Sequence, residues 1–385
     1  MNYREIEDRY STGVYFKRDV VIVRGEGALL WDEDGRRYVD CVGGHGSANV
    51  GHCNPDVVRA VTEQMRTLTT CTEVFYNDAR ARLLQKLASI TPPGLDRIFL
   101  CNSGAEAVEA GLKFARMATG RQEIVACMRG FHGRTMGALS ATWDSKYREP
   151  FRPLVPEFKH IPYDNPAAMR EAVTEKTAAV IVEVVQGEGG VRPGSAAFFA
   201  ELQQMCLETG ALLIVDEIQT GFGRTGTMFA SEQFGLAPDI MCLAKSIAGG
   251  LPMGAIAVGP RIKNVVKLAH GSTFGGNPVT SAAAVATIQY IQDHDLPARA
   301  KELGAEFLDR LREIDSPLIR EVRGLGLMIG LDLRQKSTPY LKALMDRGVM
   351  ALPAGATVIR FLPPLVIERD DLAMVAETVA EVLAG

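Results

Sequence analysis

Between residues 97 and 260 the chain alternates short, continuously apolar runs with stretches of helical periodicity. The runs are RIFLC (97–101), EIVACM (123–128), AAVIVEVV (178–185), ALLIVDE (211–217), DIMCLAK (239–245) and AIAV (255–258). They are rich in β-branched residues and lack the polar alternation of a half-exposed strand. Each therefore reads as a strand buried on both faces. Such strands alternating with helices predict an α/β fold, with a mainly parallel central sheet flanked by helices. Residues 280–311 read as long helices, and 319–385 mixes strands such as LMIGLDL (327–333) with helices. A chain of 385 residues has room for two domains. The expected layout is a large domain over 49–279 and a smaller α+β domain built from the N-terminal segment 1–48 and the C-terminal part 280–385.

Open α/β sheets bind ligands outside the carboxyl ends of their strands. Five of the predicted ends carry polar or glycine-rich sequences: NSGAE (102–106), RGFHGRT (129–135), QGEGG (186–190), DEIQTGFGRTG (216–226) and KSIAGGLPMG (245–254). One crevice lined by all five is expected. Ser103, Gly104 and Ala105 open a helix, where backbone N–H groups and the helix dipole favour a phosphate. Ser103 with Glu106 also reads as a capping box. Asp216 ends a strand, where a carboxylate can hold a pyridinium nitrogen protonated or simply cap a helix. Gln219, one turn on, can meet a phenolic oxygen on the same ring. Lys245 closes a strand and enters a glycine-rich loop. A lysine there has a lowered pKa suited to Schiff-base chemistry, or it snorkels to the surface. Phe131 and His132 follow another strand, and an aromatic ring in that loop can stack on a pyridine face or pack in the core.

Three charged residues, Arg134, Glu188 and Arg360, are candidates for handling substrate. Arg134 and Arg360 offer the bidentate guanidinium fork. Arg360 lies between TVI and FLPPLVI, an odd place for an unpartnered charge, and Glu188 can pair with it. A structural ion pair is the alternative reading.

Other chemistry is disfavoured. A net charge of −4 leaves no basic footprint for nucleic acid or an anionic membrane. No apolar run approaches a membrane span. The N-terminus MNYREIEDRY lacks the apolar core of a signal peptide. Seven scattered cysteines with no CxxC pair point to a reducing, cytoplasmic setting. GLGLMIG (324–330) has the wrong glycine spacing for a dinucleotide fingerprint. His45, His52 and Cys53 are too few for a metal site and read as structural or solvated, so no metal is expected.

Taken together, GALLWDEDGRRYVDCVGG (27–44), GHCNP (51–55), NSGAEAVEAGLKFAR (102–116), FHGRT (131–135), EVVQGEGGV (183–191), DEIQTGFGRTG (216–226), LAKSIAGGLPMGA (243–255), GSTFGGNP (271–278) and RFLPPL (360–365) resemble the class III (ω-type) aminotransferases, which are fold-type I pyridoxal 5′-phosphate (PLP) enzymes. The resemblance covers nearly the whole chain. It implies that Lys245 carries PLP covalently, Asp216 pairs with the pyridine nitrogen and Gln219 meets the phenolic oxygen. It further implies that Phe131 stacks on the ring, with His132 beside it, and that Ser103, Gly104 and Ala105 hold the phosphate. Thr273 would reach the phosphate of a second subunit, which makes a homodimer with shared sites the expected active unit. Arg134, with Tyr15, would bind a substrate carboxylate. Glu188 and Arg360 would form a switch that admits glutamate or 2-oxoglutarate. Val184 departs from the proline usual in this family, a change expected to alter the loop slightly and not the chemistry.

Within the class, STGVYFKRDVVIVRGEGA (11–28), KYREPF (146–151) and VIRFLPPLVI (358–367) resemble acetylornithine aminotransferases and their relatives in lysine biosynthesis. Those relatives act on aminoadipate semialdehyde borne by a small acidic amino-group carrier protein. The implied reaction moves an amino group between glutamate and the terminal semialdehyde of an N-blocked basic amino acid. Acetylornithine, ornithine and 4-aminobutyrate are alternative substrates. An aminomutase and a non-enzymatic PLP-binding regulator are the competing classes.

Overall fold

The computed structural model describes residues 2–384. Seven strands form the central sheet: β1 (Arg97–Cys101), β2 (Glu123–Cys127), β3 (Phe158–Ile161), β4 (Thr177–Glu183), β5 (Leu212–Asp216), β6 (Ile240–Leu243) and β7 (Gly254–Val258). Their spatial order is β1-β7-β6-β5-β4-β2-β3. The four pairs from β6 to β3 are parallel, and β7 alone runs antiparallel to both its neighbours. All six apolar runs became strands. The seventh, FKHI, is an edge strand whose lysine and half-buried histidine mask the apolar signal.

Burial on both faces explains the unbroken apolar runs, since every residue of β2, β4, β5, β6 and β7 is buried. On one face, helix α1 (Gly104–Thr119) lays Ala107, Val108 and Leu112 on Ile214, Ile240 and Ile256. On the other, Phe198, Phe199 and Leu202 cover Val180, Val182 and Leu213. Each large side chain so buried contributes about 1.5–3 kcal/mol.

Helices α2 (Pro278–Asp293) and α3 (Leu296–Arg312) follow the sheet. Strands Ile319–Leu325, Met328–Leu333, Leu352–Ala354 and Val358–Phe361 then form an antiparallel sheet. The glycine-rich 324–330 stretch is the turn of its first hairpin, with Gly326 at φ +52°. The N-terminal strands Ile22–Glu26, Leu29–Asp32 and Arg37–Asp40 take Val349–Met350 as a fourth, so the two ends of the chain share a sheet. His52 Nε2 lies 2.7 Å from Asp40 Oδ2, an ion-pair geometry within this region. Among the described residues no helix is long and apolar enough to cross a membrane.

Candidate active site

Strand register brings the first pieces together. Asp216, at the end of β5, stands opposite Glu183 at the end of β4 and Cys242 on β6. Two carboxylates therefore emerge side by side at the carboxyl edge. Asp216 is buried and held at both oxygens: Oδ1 accepts from the Ile218 amide at 3.1 Å, and Oδ2 lies 2.7 Å from His132 Nδ1. No helix follows Asp216 directly, so the carboxylate closes a turn and caps nothing, contrary to the helix-cap reading. Burial lowers the pKa of His132, but the hydrogen bond and charge of Asp216, with Glu183 behind it, raise it overall. Glu183 accepts from the amides of Phe131 at 2.9 Å and Gly187 at 3.1 Å. Burial pushes its pKa up to about 7, against the pull of His132 and with the push of Asp216.

Lys245 does not end a strand as the sequence suggested. β6 stops at Leu243, and Lys245 opens a short 3₁₀ turn, Lys245–Ala248, with φ +48°. Partly exposed to the crevice, it is otherwise surrounded by protein. Desolvation lowers its pKa to about 8, with Glu188 and Arg360 next in influence and opposed in sign.

Ser103 caps α1, its Oγ accepting from Glu106 N at 3.2 Å, while Glu106 reaches back to the Asn102 amide at 2.5 Å. The capping reading holds, and it builds the second function. The amides of Gly104 and Ala105 have no acceptor among the described residues and face outward at the positive end of a 16-residue helix. A Cβ on Gly104 would come within 3.1 Å of Ile218, and one on Gly133 within 3.1 Å of Ala105 Cα. Both glycines let this helix start approach the Asp216 loop closely.

Gln219 is buried, its Oε1 accepting from Arg360 Nη1 at 3.3 Å. A Cβ on Gly187 would sit 2.1 Å from that same oxygen, so the glycine-rich loop must lack a side chain there. Arg360, 1% exposed, donates through Nη2 to Glu188 Oε1 at 2.7 Å, and its Nε is enclosed without a partner. Burial would raise the Glu188 pKa, but the charge of Arg360 and its hydrogen bond bring it below the ordinary value. The pair foreseen from the sequence is formed. Phe131 is half-buried and meets Tyr147 edge-on at 5.6 Å. Arg134 lies over the Tyr147 ring at 4.0 Å and near Phe131 at 5.5 Å, with no carboxylate partner among the described residues.

Two expected site residues stand apart. Thr273 is exposed on a loop whose neighbour Ser272 accepts from Asn102 Nδ2 at 2.9 Å. Tyr15 is 82% exposed in the N-terminal segment and makes no hydrogen bond to the Lys245 cluster among the described residues. Two residues were overlooked. Glu183 has the same strand-end signal as Asp216. His45, set aside as structural or solvated, lies close enough to Arg360 that burial and then this charge lower its pKa. Val184 is fully buried, and its carbonyl accepts from the Tyr163 hydroxyl at 2.9 Å.

These groups fit pyridoxal phosphate. They comprise outward amides for a phosphate, an anchored carboxylate for a ring nitrogen, a carboxamide beside it, an aromatic face and an amine of lowered pKa.

The sequence profile of the class-III aminotransferases matches residues 13–383. The chain is 53% identical to a LysW-aminoadipate semialdehyde transaminase of Deinococcus radiodurans over 98% of this chain and 89% of that one. It is 45% identical to an acetylornithine aminotransferase of Methanosarcina acetivorans, over 98% and 94%. Among solved structures, an ornithine aminotransferase of Toxoplasma gondii superposes with a TM-score of 0.95 at 34% identity, covering 99% of this chain and 94% of that one. An acetylornithine aminotransferase of Elizabethkingia anophelis gives 0.90 at 34% identity, over 99% and 98%. With a profile spanning almost the whole sequence and a site suited to the cofactor, the chain belongs to the class-III aminotransferases and is a PLP-dependent enzyme.

Proposed function

We propose that the enzyme moves an amino group between glutamate or 2-oxoglutarate and the terminal carbon of an N-blocked basic amino acid. The best-supported substrate is aminoadipate semialdehyde on a small acidic carrier protein, leading to lysine. The observation that carries this reading is the Glu188–Arg360 pair beside Lys245, with Arg134 left free nearby. The Deinococcus relative supports the carrier, and the acetylornithine aminotransferases support acetylornithine as the second reading. Seven free cysteines suit a reducing, cytoplasmic setting.

Bound PLP supplies an electron sink at the amine carbon. Ser103, Gly104 and Ala105 would hold its phosphate, with Thr273 from a second subunit. Phe131 would cover the ring, and Gln219 would meet its phenolic oxygen. Asp216, steadied by His132, would keep the ring nitrogen protonated. Lys245, with a pKa near 8, would carry the cofactor and then move a proton at the substrate carbon.

Two substrates must use one pocket. Glutamate brings a carboxylate to Arg360, whereas the terminal amine brings none. Stripping a buried guanidinium of its partner costs about 3–5 kcal/mol. Glu188 cancels that charge for the terminal amine and yields when glutamate arrives. Arg134, with Tyr15, would grip the remaining carboxylate in both cases. The test is single-turnover amination of the enzyme with glutamate, carrier-bound lysine, acetyllysine, acetylornithine, ornithine and 4-aminobutyrate. Glu188→Ala should slow the terminal-amine donors and spare glutamate, Arg360→Ala should do the reverse, and Arg134→Ala should slow both. Equal slowing of both donor types by Glu188→Ala would make the pair structural.

A further inference from the structure

The sheet that carries Arg360 holds a second arginine in register with it. Arg323 stands opposite Gly330, and Gly330 stands opposite Arg360, so the three lie abreast on neighbouring strands. Residues directly opposite on antiparallel strands project to one face. That face therefore presents an arginine, a gap and an arginine. The loop that carries Glu188 is seated on it. Val185–Gln186 and Arg192–Pro193 pair as a hairpin, and residues 187–191 form its tip. A Cβ on Gly330 would come within 2.9 Å of Val191 Cβ, so the gap is where the tip fits. On one side of it Arg360 binds the Glu188 carboxylate at 2.7 Å. On the other side Arg323 binds the backbone of the tip. Its Nε donates to the carbonyls of Gly190 and Val191, both at 3.0 Å, and its Nη2 donates to the Gly190 carbonyl at 2.6 Å.

The tip needs such a hold. Val191 has φ +51°, a region that β-branched residues enter only when their surroundings impose it. Gly190, at φ +107°, has Arg323 Nη2 3.2 Å from where its Cβ would be. Arg323 is itself anchored. It is 8% exposed, and its Nη1 is held by Glu321 and by Asp332 Oδ2 at 3.2 Å. Asp332, also buried, accepts from the Thr357 hydroxyl at 2.8 Å. Among the described residues Arg323 makes no hydrogen bond or ion pair to a residue assigned to cofactor or substrate. The backbone it grips leads to Glu188.

We propose that Arg323, anchored by Asp332, is a positioning residue for the Glu188–Arg360 switch. It fixes the loop backbone, so that the Glu188 carboxylate is returned to Arg360 whenever glutamate leaves. The inference rests on the switch reading given above. Without the clamp the strained tip relaxes, Glu188 meets Arg360 less often, and the terminal amine faces an uncancelled charge. Glutamate, which brings its own carboxylate to Arg360, does not need the clamp.

The experiment measures single-turnover amination of the holoenzyme by glutamate and by Nα-acetyllysine or acetylornithine, whichever reacts faster. Arg323→Met should slow the terminal-amine donor about tenfold relative to glutamate, as loss of one charge-assisted hydrogen bond would. Arg323→Lys should recover part of the ratio, since one ammonium reaches a carbonyl but cannot span two carbonyls and Asp332. Asp332→Asn, which keeps the shape and loosens the anchor, should shift the ratio the same way by less. In a Glu188→Ala background Arg323→Met should shift it no further, because the residue acts through Glu188. Equal slowing of both donors by Arg323→Met would make Arg323 merely structural and overturn the proposal. If that variant fails to fold, an unchanged ratio in Asp332→Asn overturns it instead. A shift as large without Glu188 as with it would also overturn it. If Glu188→Ala itself leaves the donor ratio unchanged, the switch reading fails and takes this inference with it. If Glu188→Ala changes the ratio and Arg323→Met does not, only the clamp fails. Inertness of the unmodified enzyme toward both blocked amines would overturn the N-blocked reading and the inference built on it.

Discussion

Lys245 occupies the left-handed region of backbone space at φ +48°. Residues with a β-carbon enter it at a cost of order 1–3 kcal/mol, which the surrounding fold must offset. Here the offset comes from the buried stretch after it, Ser246–Ala248, with Ser246 Oγ donating to the Gly46 carbonyl at 2.7 Å. The turn aims the amine into the crevice, and desolvation by the protein around it lowers its pKa to about 8. The protonated form has no lone pair, so covalent uptake of the cofactor by the apoprotein must await loss of that proton. The uptake rate should rise about tenfold per pH unit below pH 8 and level off above it. Stopped-flow absorbance after mixing apoprotein with PLP reads this directly. An inflection near the ordinary lysine value would show that desolvation is not felt at Lys245. In Lys245→Ala the covalent signal should vanish and transamination fall by orders of magnitude.

Helix α1 shows how one element serves structure and chemistry at once. Ser103 satisfies the Glu106 amide, and with that amide engaged, Gly104 and Ala105 remain the outward donors. Ser103→Ala should cost the apoprotein about 1 kcal/mol in urea unfolding, as loss of a helix cap does. It should also weaken cofactor affinity, because the hydroxyl and the ordered first turn are lost together. A stability loss with unchanged affinity would reduce Ser103 to a cap. The same element explains what was readable beforehand. NSGAE after an apolar run announces a strand, a cap and a helix, because all three signals are local. The six doubly buried strands were readable for the same reason. The antiparallel direction of β7 was missed although the short 244–253 connection to β6 leaves little room for a parallel crossover; its other pairing, with β1, joins segments far apart in sequence. Edge strand β3 lacked the apolar run because only one of its four residues is buried. Glu183 went unrecognised because its importance comes from standing opposite Asp216 across a strand pair. The turn at Lys245 was also hidden, since nothing in DIMCLAK separates a strand residue from one two positions beyond the strand.

At the scale of the molecule, the surface is unfinished. Val74, Phe75 and Phe274 are 84%, 67% and 62% exposed. Their loops adjoin: Asn277 Nδ2 donates to the Thr69 carbonyl at 2.8 Å, and Arg80, which binds the Cys71 and Thr72 carbonyls, packs against Gly276. Contiguous exposed apolar side chains of this size mark an interaction surface. Thr273, proposed to complete a neighbouring phosphate site, lies beside Phe274 in this patch. A second copy of the chain would cover the patch and receive Thr273 in one step. The active unit should therefore be a homodimer that sediments as such at catalytic dilution. Thr273→Asp would place a carboxylate against the partner's phosphate, and because the residue is exposed the fold should survive. Thr273→Asp and Lys245→Ala proteins should each be nearly inactive. After subunit exchange, one site of every hybrid dimer combines an intact Lys245 with an intact Thr273 from the other chain, so mixing should restore activity. No recovery in mixtures with demonstrated exchange would show that Thr273 serves its own chain or no site at all. A fully active monomer would remove the shared site altogether.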